Sequence, residues 1–336
     1  MIIGNRNTDE QVLIIAEIGN NHEGNFDNAV RLVNAAADCG VDGVKFQTYN
    51  TEHYVSQADS ARFERLKSFE LSYSQFEKLS ELAHSLNLLF LSTPFDLESA
   101  RFLKPLIDAY KIASGDINFY PLLDVVADSE KPILISTGAS DFDLISRAVN
   151  HVETVRKKKN LPGNLALLHC TSCYPVPSAQ TNLQSIRFLS EKFDHTMGYS
   201  DHTMGIEASL TAIALGARII EKHFTLSKSF SSFRDHQLSS DPSEMRELVK
   251  KAHHVSMILG SYGKKVQMCE VDIVPAIRRS IVAGADLPAG HTIAWDDLTW
   301  IRPANGIPPG EEYKILGKQL KKSIRFGNNI FEGDVE

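Results

Sequence analysis

The sequence predicts an α/β fold, namely a (β/α)8 barrel of the TIM type followed by a small β-rich domain. Short, continuous apolar runs alternate with stretches in which apolar residues recur at helical spacing, a pattern typical of a parallel sheet covered by helices. Eight such runs precede residue 226, and eight strand–helix units in about 250 residues match the size of this barrel. An open doubly wound sheet is the alternative, but no GxGxxG motif follows the first run to support a dinucleotide site.

The eight apolar runs are predicted to be the barrel strands in chain order. A final helix over residues 241–259 is predicted to begin at Ser243, with Asp241 or Ser243 as its cap. The other helices are predicted between the strands. The strand runs are VLIIAEIG (12–19), GVKFQT (43–48), LLFLSTP (88–94), AYKIAS (109–114), PILISTG (132–138), LALLHCTS (165–172), HTMGYS (195–200) and ARIIEKHFT (217–225), and helical stretches include 27–39, 74–86, 141–155 and 206–215.

The composition of the chain changes after residue 260. Residues 261–277 are irregular and are predicted to be a linker. Residues 278–336 contain short apolar segments separated by turns that hold Gly or Pro, which predicts a small β-rich domain. The predicted organisation is therefore a barrel over 1–260, a linker over 261–277 and a C-terminal domain over 278–336.

The overall composition is that of an ordinary globular chain. Of 336 residues, 43% are hydrophobic and 23% are charged, with a formal net charge of −7, so neither nucleic-acid nor membrane binding is expected. The one basic run, Arg156–Lys159, lies late in a predicted helix and is expected to be a solvated face. No signal peptide is evident and no apolar run approaches the ~20 residues of a membrane helix. A cytoplasmic protein is expected.

The four cysteines, Cys39, Cys170, Cys173 and Cys269, are expected to be reduced thiols. Only Cys170 and Cys173 show motif spacing, and a single CxxC supplies half of the ligands that a structural zinc site needs. The motif also lacks the helix N-terminus typical of a redox pair. Cys170 is expected to pack within its strand.

Two histidines stand at the ends of neighbouring predicted strands. His202 follows Ser200 and Asp201, and His223 precedes Thr225 in the last run. The carboxyl ends of barrel strands share one rim, where catalytic groups gather. Two imidazoles on that rim are well placed to hold one divalent metal, although histidines that are only hydrogen-bonded structural residues are the alternative.

Polar side chains end the other strands as well. Two lysines and a ring of hydroxyls, without a glycine-rich P-loop, suit a small anion such as a phosphate ester. The alternative is that the lysines pair only with nearby carboxylates. The polar residues at the strand ends are Glu17, Lys45, Gln47, Thr93, Lys111, Ser114, Asp116, Ser136, Thr137, Ser172, Ser200, His202, Glu221 and His223.

An ordered set of motifs connects this rim to a known family. The motifs resemble those of the sialic acid synthases, the bacterial N-acetylneuraminate synthase family, and the tail resembles their antifreeze-like domain, also called a SAF domain. The resemblance covers essentially the whole chain. The barrel motifs are AEIGNNHEG (16–24), KFQT (45–48), STPF (92–95), YKIASGD (110–116), ISTG (135–138), LLHCTSCYP (167–175), GYSDHTMG (198–205) and EKHFTL (221–226), and the tail motifs are RRSIVA (278–283), LPAGHTI (287–293) and IRPANGI (301–307).

The resemblance implies a metal-dependent condensation of phosphoenolpyruvate with an open-chain N-acyl amino sugar such as N-acetylmannosamine. Phosphate is released and a nine-carbon 3-deoxy-2-keto acid forms. In this reaction the metal, Mn²⁺ or Mg²⁺, polarises the aldehyde oxygen, C3 of the enol attacks the carbonyl carbon, and water adds at C2.

The resemblance also implies roles for individual residues. His202 and His223 are the implied metal ligands, and Glu17 orients or deprotonates the water. Gln47, Asp116 and Tyr174 are implied to lie near the metal or the sugar, with helix capping for Asp116 and packing for Tyr174 as the alternatives. The residues implied to hold phosphoenolpyruvate are Lys45, Thr93, Lys111, Ser114, Ser136 and Ser200.

Two departures from the family pattern concern the substrates. Ser172 stands where members often have Asn, and it is shorter and lacks an amide. The second departure is in the segment after the last strand, where the family pattern FTLD…GPDH is replaced by FTLSKSFSSFRDHQLS. Ser227 stands in place of the aspartate, and the loop is one residue longer. Asp235 is matched to the sugar-binding aspartate of the family across this changed loop. The acceptor therefore stays open among N-acetylmannosamine, legionaminic or pseudaminic precursors, non-acylated sugars and a phosphorylated sugar bound by Arg234.

For assembly, the resemblance implies a homodimer in which the C-terminal domain caps the barrel mouth of the partner. Arg302 of RPANGI would contact the N-acyl group of the acceptor, with Ala304 in place of a glycine, and a surface ion pair is the alternative for Arg302. Another phosphoenolpyruvate-condensing barrel that forms a shorter sugar acid is the second hypothesis. A non-catalytic ligand-binding barrel is the third, and the intact rim argues against it.

Overall fold

The computed structural model describes residues 1–336 and divides the chain into two compact units, Met1–Gly260 and Ser261–Glu336. None of the helices combines the length and the hydrophobicity that a membrane span requires. Each unit has its own apolar core, so the two are described separately.

The first unit is a closed barrel of eight parallel strands in chain order, with the last strand pairing with the first. The predicted fold class and all eight predicted strands are confirmed. A short antiparallel hairpin of β1 and β2 precedes the barrel. The strands are β1 Ile2–Ile3, β2 Arg6–Asn7, β3 Leu13–Gly19, β4 Gly43–Thr48, β5 Leu89–Pro94, β6 Ala109–Ile112, β7 Ile133–Ser136, β8 Leu165–Cys170, β9 Thr196–Asp201 and β10 Ile219–His223.

The barrel strands are apolar on both faces because both faces are buried. Alternate residues such as Ile15, Leu91 and Leu168 fill the barrel interior, and Ile3 of β1 joins this inner cluster. The residues between them, such as Phe46, face the helices. Burial of one such side chain stabilises the fold by roughly 1.5–3 kcal/mol. Because side chains alternate between the two faces of a strand, the same alternation decides which residues at the strand ends point into the barrel.

The helices lie between the strands, and the predicted ones are present with small shifts at their ends. Asp241 caps the last barrel helix, because its side chain accepts hydrogen bonds from the amides of Ser243 and Glu244. The helices are α1 Phe26–Asp38, α2 Thr51–Tyr54, α3 Ser60–Phe69, α4 Tyr73–Ser85, α5 Leu97–Leu103, α6 Tyr120–Ala127, α7 Phe142–Lys158, α8 Gln184–Lys192, α9 Glu207–Ala214, α10 Arg234–Leu238, α11 Pro242–Leu259 and α12 Val274–Ile277.

The basic run at the end of α7 is not wholly solvated, and that expectation is wrong for its first residue. Arg156 is 2% exposed. Its guanidinium donates to the backbone carbonyls of Pro162, Ser129 and Lys131. Arg156 therefore provides hydrogen bonds to backbone carbonyl groups in the loops before β7 and β8. A cluster of charges in the sequence does not reveal this role.

The second unit contains an antiparallel pair of strands, β11 Ser280–Ala283 and β12 Leu298–Ile301, with isolated bridges around it. Its core includes Ile281, Ile293 and Ile330. A small β-rich C-terminal domain is thus confirmed. Residues 261–277 group with this unit and include α12, and their role as a linker stays a prediction.

Candidate active site

A cavity of about 800 Å³ opens at the carboxyl ends of the barrel strands. Every barrel residue to which the sequence analysis gave a role in the site lines it. Thr137, also named among the strand-end polar residues, does not, because its hydroxyl donates to the carbonyl of Leu168. Arg302 lies in the other unit and is exposed, so its role stays a prediction. The selected lining residues are Glu17, Lys45, Gln47, Thr93, Lys111, Ser114, Asp116, Ser136, Ser172, Tyr174, Ser200, His202, His223, Arg234 and Asp235.

The strand register explains why these side chains meet. In the parallel pairs of the barrel, His223 is level with Glu17, and Glu17 is level with Lys45. Gln47 is level with Thr93 one pair further round. Side chains at the same height and of the same inward orientation form a ring. Residues far apart in the chain therefore meet at the bottom of the cavity, which forms its floor.

The charged centre of the floor is Lys45 between two carboxylates. Its Nζ lies 2.9 Å from Oε2 of Glu17 and 3.7 Å from Oε2 of Glu221, and it donates to Oγ1 of Thr93 at 3.0 Å. Burial alone would lower the pKa of Lys45, but the two carboxylates raise it above its ordinary value. Lys45 is therefore a permanent cation in this site.

The two carboxylates differ in proton affinity. Burial raises the pKa of Glu17, Lys45 lowers it, Glu221 raises it again, and the result is above the ordinary value. Burial would also raise the pKa of Glu221, but Lys45 and Lys111 outweigh it and the pKa is lowered. Glu221 is the permanent anion, and Glu17 is the carboxylate suited to take up a proton.

Lys111 lies beside a set of hydroxyls. Its Nζ donates to Oγ of Ser136 at 2.5 Å and to the carbonyl of Ile112 at 2.8 Å. Burial lowers the pKa of Lys111. No carboxylate forms an ion pair with this lysine, so a bound anion would supply the missing countercharge.

Gly138 lies next to two further hydroxyls, those of Ser114 and Ser172. A Cβ atom built on Gly138 would come within 2.4 Å of Oγ of Ser172 and 2.8 Å of Oγ of Ser114. Oγ of Ser114 also accepts from the amide of Gly138 at 3.0 Å. The missing side chain of Gly138 therefore lets both hydroxyls approach the backbone closely, and the shorter Ser172 still reaches this position.

The two imidazoles face each other with ring centroids 5.3 Å apart. Nδ1 of His202 lies 2.9 Å from the carbonyl oxygen of Thr171. Nδ1 of His223 is buried without a hydrogen-bond partner. Burial, followed by the charge of His202, holds the pKa of His223 well below its ordinary value, so this ring is neutral and able to donate a lone pair.

These features fit a divalent cation held by few protein ligands. The orphaned nitrogen of His223 beside a second imidazole is a buried polar group that a cation would satisfy. The chain has no group of three or more His, Cys, Asp or Glu side chains arranged for a metal. Water and substrate oxygens would therefore have to complete the coordination.

Cys170 is placed differently from the expectation. It belongs to β8, but its side chain lines the cavity, with Sγ 3.6 Å from Nδ1 of His202. Burial would raise the pKa of its thiol, but the contact with His202 lowers it. Cys170 points inward because side chains alternate along β8 and its neighbour His169 points outward. This alternation is the sequence signal that could have predicted it.

The outer wall of the cavity consists of helix α3, the loop after β10 and the first residues of α10. Arg234 lies over the ring of Tyr174, 5.1 Å from its centroid, and its Nε is 3.4 Å from Oδ1 of Asp235. Phe233 packs edge-to-face on Phe69 of α3 at 5.2 Å. The loop that departs from the family pattern is thus part of the cavity.

Several lining residues were missed by the sequence analysis. The lining residues that were missed include Asn20 and Glu23 after β3, and Arg62, Arg65 and Phe69 of α3. Helix α3 has no buried residue, so its sequence shows no apolar periodicity that would predict a helix. Glu221 was noted at a strand end without a role. Its inward position two residues before His223 was the available signal.

Comparisons with known proteins give matches for both units of the chain. Residues 32–264 match the NeuB family, and residues 278–336 match the SAF domain. The N,N'-diacetyllegionaminic acid synthase of Legionella pneumophila is 39% identical over 337 residues, covering 96% of this chain and 94% of that protein. The pseudaminic acid synthase of Campylobacter jejuni serotype O:2 is 34% identical over 353 residues, covering 100% of both. The crystal structure of the sialic acid synthetase of Leptospira borgpetersenii has a TM-score of 0.73 at 36% identity, covering 79% of this chain and 90% of that chain.

Proposed function

Because this chain belongs to the NeuB family of nonulosonic acid synthases, we propose that it condenses phosphoenolpyruvate with the aldehyde of an open-chain N-acyl amino sugar. Water is the third reactant, and the products are a nine-carbon 3-deoxy-2-keto acid and phosphate. One observation carries the proposal: two buried lysines, a set of hydroxyls and the carboxyl group of Glu17 share one cavity with two facing imidazoles.

Phosphoenolpyruvate would bind at the floor of the cavity. Its phosphate and carboxylate need cations and hydroxyl donors, and Lys45 and Lys111 provide the charge. The hydroxyls of Ser114 and Ser172, which line the cavity beside Gly138, suit the oxygens of a phosphate group. Thr93, Ser136 and Ser200 supply further hydroxyls on the same floor.

Glu17 would act on the water. A new bond forms between C3 of phosphoenolpyruvate and the aldehyde carbon, which leaves C2 electron-poor. The water oxygen then bonds to C2 as one of its protons passes to Glu17, and phosphate leaves with the C2–O bond electrons. The second water proton is released as the C2 carbonyl forms, and the former aldehyde oxygen, which took the C=O electron pair when the C–C bond formed, takes up a proton to become a hydroxyl. The raised pKa of Glu17 suits a group that must hold this proton.

His202 and His223 would hold a divalent cation, Mn²⁺ or Mg²⁺, and this cation would polarise the aldehyde oxygen of the acceptor. The acceptor itself would extend towards Tyr174, Asp235 and Arg234, because these residues line the cavity on the side of the imidazoles. Asp116 lines the same cavity and is available to a sugar hydroxyl.

The test is a panel of acceptors offered to the purified protein with phosphoenolpyruvate and Mn²⁺. The panel holds N-acetylmannosamine, its 6-phosphate, a 2,4-diacetamido-6-deoxy hexose and a non-acylated hexosamine, with erythrose and arabinose phosphates for the shorter-chain alternative. We expect phosphate release with at least one N-acyl amino sugar and none without an acceptor. Release only with the short sugar phosphates would overturn the proposal.

Two variants frame this assay. Lys111→Met removes a floor cation and should lower kcat/KM by at least about 100-fold, since one buried charge-assisted contact contributes roughly 3 kcal/mol. Lys251→Met changes an exposed lysine on α11 and should have no effect. Equal activities in the two variants would argue against the floor as the binding site.

A further inference from the structure

Two charged side chains lie behind the imidazole pair. Asp201 ends β9 and precedes His202, and Lys222 precedes His223 in β10. The register pairs Asp201 with Lys222 across the two strands. Nζ of Lys222 lies 3.1 Å from Oδ2 of Asp201, and both side chains are 0% exposed. Because strand side chains alternate, both point away from the cavity that their neighbours line.

This pair is unusual on the outer face of the barrel. Outward-facing strand residues generally pack into the apolar layer between strands and helices, as Tyr199 and Ile220 do on the same two strands. No other outward-facing residue of the barrel strands carries a carboxylate, an ammonium or a guanidinium group. A buried ion pair contributes little net stability compared with apolar side chains of similar size, so stability alone does not explain it.

Hydrogen bonds connect the pair to the backbone next to His202. Oδ1 of Asp201 accepts from the amide of Thr203 at 2.7 Å and from its hydroxyl at 2.8 Å. Nζ of Lys222 donates to the carbonyl of Thr203 at 2.6 Å. Ser209 of α9 donates its hydroxyl to Oδ2 of Asp201 at 2.6 Å. Both members of the pair therefore fix the residue that follows His202.

We propose that Asp201 and Lys222 are positioning residues that hold His202 and His223 at the separation at which both imidazoles contact one divalent cation. This inference rests on the proposed function, which assigns the two histidines to that cation. The pair ties the ends of β9 and β10 to each other and to the helix layer. The two imidazoles therefore keep their relative position when no cation is bound.

The small number of protein ligands makes this positioning important. With three or four ligands, the cation itself can draw one displaced side chain into place. With only two protein ligands, the binding free energy is small, and the free energy needed to move one imidazole reduces it directly.

The test uses the double variant Asp201→Leu/Lys222→Met, in which apolar side chains of similar size replace the pair. Mn²⁺ alone is titrated into each protein, and the loss of the electron paramagnetic resonance signal of free Mn²⁺ gives the dissociation constant. We expect this constant to rise roughly 10- to 100-fold, the range typical for loss of outer-shell partners. The unfolding temperature should fall, because Thr203 and Ser209 lose buried hydrogen-bond partners, so affinities are compared well below the unfolding temperature of each variant.

The matched control is Glu247→Gln/Lys251→Met, which removes an exposed ion pair on α11 with a 2.6 Å contact. It should change neither quantity. Should the apolar variant fail to fold, Asp201→Asn/Lys222→Met replaces it, because asparagine keeps an oxygen acceptor for Thr203. A smaller but clear loss of Mn²⁺ affinity is expected there.

Wild-type Mn²⁺ affinity in either folded double variant would overturn the inference and leave the proposed function intact. A lower unfolding temperature with unchanged affinity would do the same, since it would show a purely structural role. Absence of Mn²⁺ binding by the wild-type protein would remove both the cation proposal and this inference.

Discussion

At the scale of single residues, Asp116 shows that the cavity lowers the stability of the fold. Burial raises the pKa of Asp116 to about 6, although Lys111 lowers it. An ordinary aspartate titrates near 4. Between these pH values the folded state holds a proton that the unfolded state has released, so stability falls as the pH rises through this window.

Replacement of Asp116 by Asn should therefore stabilise the protein only at higher pH. We expect the free energy of unfolding to rise by roughly 2 kcal/mol at pH 8 and to stay unchanged near pH 4. Urea unfolding at pH 4, 6 and 8 measures this, with Glu247→Gln on exposed α11 as the control. A gain that is independent of pH would show that the carboxyl group is not destabilised by burial.

Arg234 is expected to act on the acceptor sugar and not on phosphoenolpyruvate. It lies at the outer wall beside Tyr174, whereas the cations of the floor are Lys45 and Lys111. Arg234→Ala should raise the KM for the acceptor roughly tenfold, as expected for one lost charge-assisted contact, and leave that for phosphoenolpyruvate nearly unchanged.

The control for this variant is Lys228→Met, because Lys228 lies in the loop that precedes α10 but pairs with Glu244 at 2.6 Å outside the cavity lining. Steady-state kinetics with each substrate varied in turn provide both constants. Equal changes in the two KM values would indicate that Arg234 only supports the loop.

At the scale of elements, helix α3 forms part of the cavity wall although none of its residues is buried. Its C-terminal end rests on the loop after β3. Gly24 has φ +75°, and a Cβ atom there would lie 2.1 Å from the carbonyl oxygen of Ser68. This backbone oxygen cannot rotate away as a side chain would, so the contact requires glycine.

Gly24→Ala should displace α3 and weaken acceptor binding. Gly40→Ala is a matched control, because Gly40 has a similar φ of +78° but its Cβ would meet nothing closer than 3.8 Å. Both variants share the strain of a positive φ, roughly 1 kcal/mol, and only Gly24→Ala adds the collision. Hydrogen exchange over residues 60–69 should increase in Gly24→Ala alone, and equal exchange in both variants would contradict this account.

The elements also show which parts of the structure sequence patterns reveal. The strand β5 was predicted because its apolar run is continuous and ends in STPF, and the same reasoning placed Thr93 on the rim. Helix α3 was not predicted, since its side chains are solvated and leave no apolar period. Arg62 and Arg65 were missed with it, because only the path of the chain between β4 and α4 brings them to the cavity.

At the scale of the whole molecule, the closed barrel brings the carboxyl ends of all eight strands to one rim. Most residues of the cavity floor could therefore be predicted from the sequence. The pKa directions of Glu17 and Glu221 were not predictable, because they depend on their distances to Lys45. The pair of Asp201 and Lys222 was equally hidden, since its partners Thr203 and Ser209 are assigned only by the packing of α9.

The family resemblance also implies that the C-terminal domain completes the site of a partner subunit. In that case Arg302→Ala and Glu17→Ala homodimers are both inactive, each for a different reason. Mixed after unfolding and refolding together, they should recover activity, because one mouth of each heterodimer has both residues intact. Phosphate release by the separated heterodimer measures this.

A fully active monomer in analytical ultracentrifugation would contradict the cross-subunit role of Arg302. Heterodimers that form correctly and stay inactive would contradict it as well. An active Arg302→Ala homodimer would show that this arginine makes only surface contacts.

The central claim is that this rim joins C3 of phosphoenolpyruvate to the aldehyde carbon of an amino sugar. The most direct measurement is carbon-13 NMR of the reaction of [3-¹³C]phosphoenolpyruvate with a [1-¹³C]-labelled acceptor that supports phosphate release. We predict a one-bond ¹³C–¹³C coupling in the product of the wild-type protein, and a rate of formation of this product lower by at least about 100-fold with Lys111→Met. Release of phosphate with pyruvate as the only labelled product would contradict the claim.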